Sequence, residues 1–200
     1  ISSPELTLIN PKNGKLAFKL ASFSSNPFDH FTRPNYFSLI WIWQGKGQAK
    51  VDFTTYDFTS ASLFAFSPYQ PFVYKSDEQL GGIAIHFHPD FYCVDMHQKE
   101  VACNGLLFNN FYNPPMTIVD QASAETFKML IEKMEIEMQN TALSQYELLI
   151  SYLKIFLITA TRLKTQQEPQ AQQTSQDIQA PFILQNLQEA IERDFRKKHY

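Results

Sequence analysis

The sequence predicts an α+β fold in which a β-sandwich or small barrel is followed by a two-helix hairpin, a linker and a terminal helix. Three observations predict it. Short apolar runs bounded by turn residues fill roughly the first ninety positions, at the even spacing typical of sandwiches and barrels. After about residue 120 the apolar residues recur at helical spacing. A glutamine-rich stretch then separates these helices from a last amphipathic segment.

The predicted strands differ in the extent of burial that their sequence patterns indicate. Apolar and polar residues alternate from Leu16 to Leu20 and again at Ala49, Val51 and Phe53, which is the period of a half-buried strand. Tyr36 to Trp43 is an almost continuous apolar and aromatic run, typical of a strand buried on both faces. Further strands are predicted at 63–66, 72–74 and 83–88, with turns at 45–47, 67–68 and 81–82.

Two helices are predicted after the strands. The first has an apolar stripe at helical spacing, formed by Phe127, Leu130, Ile131, Met134 and Met138. The second is expected to begin at a capping box, in which Ser144 and Glu147 each accept a hydrogen bond from the other's backbone N–H. Its body, Leu148 to Ile158, is apolar almost all round, and such a helix needs cover on two sides.

The need for cover on a second side predicts a homodimer. The β-domain can bury only one side of the 144–160 helix, and the other side would expose a contiguous apolar patch of a size that monomers avoid. Pairing the same helix across a two-fold axis removes that exposure. We expect the contact to include Tyr152, Ile155 and Phe156, and the sequence leaves open which of them face the partner and which face the sheet.

The rest of the chain has a different composition. Thr165 to Gln179 is dominated by glutamine and almost lacks large apolar residues, which is typical of a linker. Pro181 then begins a predicted helix whose apolar residues, from Ile183 to Phe195, form one stripe and whose end is basic. The predicted organisation is a β-domain at 1–164 with its helical hairpin at about 120–164, a polar linker at 165–180, and the first helix of a second domain at 181–200.

Composition excludes several classes of protein. The net charge of −3 argues against a freestanding nucleic-acid binder, which needs a surplus of basic residues. The two cysteines, Cys93 and Cys103, lack the spacing of a zinc motif and fit a reducing compartment. No signal-peptide pattern and no apolar run long enough to span a membrane are found. We therefore expect a soluble, cytoplasmic protein without a membrane partner.

The order of these elements resembles AraC-type transcription regulators. Residues 39–47 are similar to that family's strand-and-glycine hairpin, 67–71 to its turn, and 85–91 to its late strand running into a short helix. The segment 187–199 is similar to the helix that opens the family's bipartite helix-turn-helix domain. One departure is the sequence Ser-Ala-Ser at 60–62, where the family usually has Gly-Asp before a strand.

The resemblance implies a function. It implies that residues 1–164 form a cupin-like effector-sensing and dimerisation domain that is not an enzyme and holds no cofactor. Residues 181–200 would begin the helix-turn-helix domain, and DNA contact is expected only through the recognition helices, which lie outside this sequence. The expected partners are a second copy of the chain and a small-molecule effector, such as a sugar or an aromatic compound. The alternative is a metal-dependent cupin enzyme, an isomerase or a dioxygenase.

A histidine pair bears on that alternative. His86 and His88 alternate on one predicted strand and therefore face the same way, so both imidazoles could reach one metal ion. Further polar side chains follow at Asp90, Asp95 and His97. Metal-binding members of the resembled fold carry their ligands on an earlier strand, which here has no histidine. We therefore predict no metal site, and the absence of nucleophile and phosphate-binding motifs predicts no catalytic residue.

The tryptophans suggest where an effector binds. Phe37, Leu39, Trp41 and Trp43 alternate with Ile40 and Ile42, so the aromatic residues share one strand face. A tryptophan beside a barrel interior is a frequent wall for sugars and flat organic ligands. The residues that precede the strand are expected to form the polar end of such a site. The predicted pocket residues are His30, Arg33, Phe37, Trp41, Trp43 and His86, and the alternative is a packed core without a pocket.

Overall fold

The structure is a computed structural model, and it describes residues 5–11, 13–92, 107–108, 114–140 and 143–167. Its strands are β1 (Leu6–Ile9), β2 (Leu16–Phe23), β3 (Phe37–Gln44), β4 (Gly47–Val51), β5 (Thr54–Phe58), β6 (Ser62–Phe66), β7 (Phe72–Lys75), β8 (Gly81–Phe87) and β9 (Met116–Ile118). Two helices follow, α1 (Gln121–Gln139) and α2 (Gln145–Gln167). The predicted terminal helix and both cysteines lie outside the described residues.

The strands form two antiparallel sheets. The larger sheet has the order β1-β2-β8-β3-β6-β9 and the smaller has the order β5-β4-β7. Ile40 of the larger sheet and Tyr74 of the smaller sheet belong to one cluster of buried apolar residues, so the sheets pack face to face. The predicted α+β class, a β-sandwich followed by two helices, is confirmed.

Strand β3 lies inside the larger sheet and separates two apolar cores. Ile40 and Ile42 point between the two sheets, while Leu39 and Trp41 belong to the cluster that includes the helices. Successive side chains of a strand point to opposite faces, so both faces of β3 are covered. Every residue from Phe37 to Ile42 is buried, which confirms the prediction of a strand buried on both faces.

The helical hairpin covers the outer face of the larger sheet. Helix α1 begins after Asp120, whose carboxylate accepts a hydrogen bond from the backbone N–H of Ser123 at 2.7 Å. Its predicted apolar stripe is buried from Phe127 to Met134. The Phe127 ring stacks on that of Phe156 in α2, with centroids 4.0 Å apart. The two helices therefore share one core with the sheet.

Three details of the predicted strands are wrong. β3 and β4 lie in different sheets, so residues 39–47 cross between sheets and form no hairpin. Gly81 and Gly82 begin β8, where they pair with β3, and are not a turn. Phe53 follows β4 and is fully exposed, because Asp52 has a φ of 52° and breaks the alternation of a strand.

The second helix also differs from its prediction. Ser144 has a φ of 64°, whereas an N-cap residue needs an extended backbone, so the predicted capping box is wrong. Helix α2 continues to Gln167, past the predicted linker boundary at 164. Strands β1, β5 and β9 were not predicted. Among the helices that the structure describes, none is long and apolar enough to cross a membrane.

Candidate functional site

The tryptophans of β3 face the helices and not the interior of the sandwich. Trp41 belongs to the core cluster shared by the larger sheet and both helices, which corrects the prediction that it borders a barrel interior. The reason is that the hairpin covers this face of the sheet. Phe37 shares the face but is buried against Phe87 and Phe108, with ring centroids 5.1 and 4.8 Å away. Phe37 therefore serves the core.

A groove of about 600 Å³ lies between the larger sheet and α1, which is within the range of small-molecule sites. We call it the tryptophan groove. Its sheet wall comes from β2, β3, β8 and the residues next to them, and its other wall is one face of α1. The lining residues are Ser22, Phe23, Ser24, Trp41, Trp43, Gln44, Gly81, Ile83, Lys128, Ile131, Glu132 and Glu135.

The two indole rings form an aromatic corner in this groove. Their centroids are 5.4 Å apart with an interplanar angle of 77°. Trp41 is only 2% exposed and also meets the Phe127 ring at 5.7 Å, so its orientation is fixed by packing. Trp43 is 42% exposed. One ring is therefore held rigidly while the other offers apolar surface to a ligand.

The indole N–H of Trp41 is a buried hydrogen-bond donor. Among the described residues, no group accepts a hydrogen bond from its Nε1. A buried donor left without a partner costs about 1–3 kcal/mol, and each such group in a native structure calls for an explanation. Trp41 lines the groove, and a ligand acceptor could reach its Nε1 only after a local shift, because this atom is closed to solvent.

Charged groups of α1 border the same groove. Lys128, Glu132 and Glu135 line it from successive turns. The pKa of Glu135 is raised, first because the carboxylate is partly buried and then because the charge of Glu132 is nearby. The helix wall therefore concentrates negative charge next to the aromatic corner.

Two glycines allow the strands under the groove to approach each other. A Cβ at Gly82 would lie 2.5 Å from the backbone oxygen of Trp41 and 2.5 Å from the Phe23 ring, which no ordinary side chain tolerates. A Cβ at Gly81 would lie 3.2 Å from the side chain of Gln44. Glycine within a strand often marks such a close approach, and this was the available sequence signal for the groove.

Two predicted pocket residues lie elsewhere. His30 is exposed, and its Nδ1 lies 2.9 Å from the Asp29 carboxylate. Arg33 donates from Nε to the backbone oxygen of Tyr69 at 2.8 Å. Neither residue lines the tryptophan groove, so their role at the polar end of an effector site stays a prediction. Both residues lie in the loop between β2 and β3.

His86 is buried on the opposite face of the larger sheet. Its Nδ1 lies 3.0 Å from the hydroxyl oxygen of Ser38 on the adjacent β3, and its ring meets those of Tyr36 and Phe28, at 4.8 and 6.5 Å. Burial, and secondly the charge of Lys19, lower the pKa of His86 to about 3. This residue too is absent from the tryptophan groove, so its assignment to an effector pocket stays a prediction.

Among the described residues, His86 and His88 are not part of a group of metal-binding side chains. The Nδ1 atom of His88 lies 3.4 Å from the Asp90 carboxylate and accepts a hydrogen bond from the Asp90 backbone N–H at 3.1 Å. In the part of the chain that the structure describes, no three His, Cys, Asp or Glu side chains are grouped as a metal site requires. Asp95 and His97 lie outside the described residues, and the absence of a metal stays a prediction.

Aromatic side chains pack in the space between the sheets. The rings of Phe66 and Phe72 stack at 4.2 Å, and that of Tyr74 packs against Phe64 at 5.1 Å. A second cavity, of about 560 Å³, lies at the surface around the β4–β5 turn and Tyr69. It is lined by residues of that turn and of the β6–β7 connection, with Phe108.

The structure separates the three residues expected at a dimer contact. Phe156 is fully buried within the chain, so it belongs to the core that joins α1, α2 and the sheet. Tyr152 is partly buried, and Ile155 is 47% exposed. Leu148, one further turn towards the N-terminus, is also exposed. The outer face of α2 therefore keeps an apolar stripe at 148, 152 and 155.

Comparison with solved structures finds similar folds at low sequence identity. An AraC-like transcriptional activator, CuxR, has a TM-score of 0.45 and 11% identity, covering 74% of this chain and 49% of its own. This chain thus spans about half the length of that activator. A salicylate 1,2-dioxygenase from Pseudaminobacter salicylatoxidans has a TM-score of 0.33 and 10% identity, covering 46% of this chain and 28% of its own.

A cupin protein from Bacteroides fragilis has a TM-score of 0.31 and 14% identity, covering 36% of this chain and 66% of its own. No family model matches the sequence, and no curated protein matches it.

Proposed function

We propose that this chain is the effector-sensing and dimerisation domain of an AraC-type transcription regulator in the cytoplasm, and that a small-molecule effector binds in the tryptophan groove. The observation that carries the proposal is a groove of about 600 Å³ lined by the rigid indole of Trp41, whose buried N–H has no acceptor among the described residues, and by the exposed indole of Trp43. A rigid apolar wall with one convergent polar group is typical of small-molecule sites.

The position of the groove supports a regulatory role. Helix α1 forms one wall of the groove and packs on α2 through Phe127 and Phe156. An effector that contacts α1 can therefore favour one arrangement of the hairpin, and through it one arrangement of a dimer and its DNA-binding domains.

A thermal-shift screen of sugars, aromatic acids and amines tests the effector site. At about a hundredfold excess over its Kd, a ligand adds about 2.7 kcal/mol to stability, which raises Tm by roughly 5–10 °C in a chain of this size. Trp43→Ala should abolish the shift. Phe53→Ala, at an exposed aromatic residue of the second cavity, is the matched control and should keep it. A ligand whose thermal shift persists in Trp43→Ala but is lost in Phe53→Ala would show that the site is the second cavity and not the tryptophan groove.

The dimer has its own test on two neighbouring residues of α2. Ile155→Glu places a charge on the exposed stripe and should give folded monomers, whereas Phe156→Glu buries a charge in the core and should unfold the domain. Light scattering and circular dichroism distinguish these outcomes. If the unmodified protein is monomeric at tens of micromolar, where a modest interface already associates, the dimer proposal is wrong.

A further inference from the structure

The tryptophan groove combines an aromatic wall with an excess of negative charge. Glu132 and Glu135 lie about one turn apart on α1, and both line the groove. Lys128 is the positive side chain among the lining residues. Within the described part of the chain, neither carboxylate forms an ion pair. The groove therefore has two carboxylates that form no ion pair with a described residue, against one ammonium group.

The charge of Glu132 also acts on the Glu135 carboxylate. Partial burial raises the pKa of Glu135, and the charge of Glu132 raises it further. A like charge nearby disfavours the ionised form of Glu135, and an opposite charge in the groove would favour it. A cation in the groove would therefore be attracted by both carboxylates, while an anion would be repelled by both.

The aromatic wall of the groove also favours a cation. A cation close to an indole face is attracted by the electron-rich ring, and tryptophan gives the strongest such interaction. The exposed part of Trp43 is available for this contact. The buried N–H of Trp41, in contrast, needs an acceptor, so a bare cation would leave it unsatisfied.

We infer that the groove binds an organic cation whose ammonium or amidinium group pairs with Glu132 and Glu135, whose flat apolar body packs on Trp43, and whose hydrogen-bond acceptor meets the Trp41 N–H. This inference rests on the proposed function, because it names the ligand class of the same groove. A neutral sugar would use the indole rings but would leave the carboxylates unpaired. An aromatic acid would place its negative charge beside the two negatively charged carboxylates.

Three matched probes test the charge preference. Tyramine, tyrosol and 3-(4-hydroxyphenyl)propionate share a phenol ring and differ in ending as an ammonium, an alcohol and a carboxylate. The chain has 2 tryptophans, and both line the groove, so selectively excited tryptophan fluorescence reports on this site. Tyramine should bind about 3–10-fold more tightly than tyrosol, since each partly exposed charge pair contributes up to about 1 kcal/mol, and the propionate should bind most weakly.

Charge variants separate the cation preference from binding as such. Glu132→Gln with Glu135→Gln should reduce tyramine binding to the level of tyrosol and leave tyrosol binding unchanged. Lys128→Gln, the matched control on the same helix face, should strengthen tyramine binding. If tyrosol or the propionate binds the unmodified protein as tightly as tyramine does, the inference is wrong and the groove remains an effector site. If tyramine leaves the fluorescence unchanged, the inference is also wrong, and the thermal-shift screen decides the proposed function independently.

Discussion

Acid should destabilise this protein through His86, and the size of the effect follows from its burial. The folded-state pKa is lowered from the ordinary value of 6.5 to about 3. Between these values the unfolded chain takes up a proton at His86 that the folded chain does not. Stability from this residue is therefore complete above about pH 6.5 and is lost progressively as the pH falls towards 3.

At about pH 5 an imidazole with its ordinary pKa is almost fully protonated in the unfolded chain, which costs the folded state about 2 kcal/mol relative to pH 7.5. Urea unfolding at both pH values should show this loss in the unmodified protein. His86→Gln removes the titrating group, so this variant should lose about 2 kcal/mol less over the same interval.

Ser38→Ala is the matched control for this prediction. It removes the polar partner of His86, which lies 3.0 Å away, but leaves the burial that is the main cause of the low pKa. The Ser38→Ala variant should therefore keep most of the pH dependence. Equal losses in the unmodified protein and in His86→Gln would refute the assignment of His86 as a buried, neutral histidine.

Other perturbations test the packing and the absences that the sequence predicts. Gly82→Ala should lower the free energy of unfolding by about 1–3 kcal/mol or more, because its Cβ meets the backbone of Trp41 at 2.5 Å; urea unfolding with no measurable loss would contradict that contact. Phe156→Ala should cost about 3–5 kcal/mol, while Ile155→Ala, exposed on the same helix, should change the free energy of unfolding by less than about 1 kcal/mol. Elemental analysis should find no stoichiometric transition metal, and one zinc, iron or manganese ion per chain that is lost on substituting His86 and His88 would overturn this. DNA binding should be weak, unselective and steeply reduced by salt; selective binding at physiological salt would show that readout elements are present.

The sequence predicted those elements whose burial follows a clear period. The run 36–43 was placed correctly in β3 because a strand covered on both faces is apolar throughout. The stripe of α1 was correct from Phe127 to Met134 because only one side of that helix meets the core. Short strands such as β1 and β9 were missed, since four or three residues are too few to show a period.

The candidate site was predictable only in part, because a single strand does not reveal what covers each of its faces. Trp41 and Trp43 were correctly assigned to one face, but whether that face meets the second sheet or the helices depends on the strand order. His86 lies on the other face of the same sheet. Alternation within its own strand does not show which side of that strand lies on the same sheet face as the tryptophans of β3. The carboxylates of Glu132 and Glu135 resembled the solvated side of an amphipathic helix, and only the packing of α1 on the sheet brings them to the groove.

The most direct test of the proposed effector site is the NMR signal of the Trp41 side chain. A protein labelled with ¹⁵N gives one indole N–H signal for each of its 2 tryptophans, and Trp43→Phe assigns them. Titration with the compound that gives the largest thermal shift should move the Trp41 proton downfield, because the buried N–H gains an acceptor. A ligand that stabilises the protein and leaves both indole signals unchanged would contradict binding in the tryptophan groove.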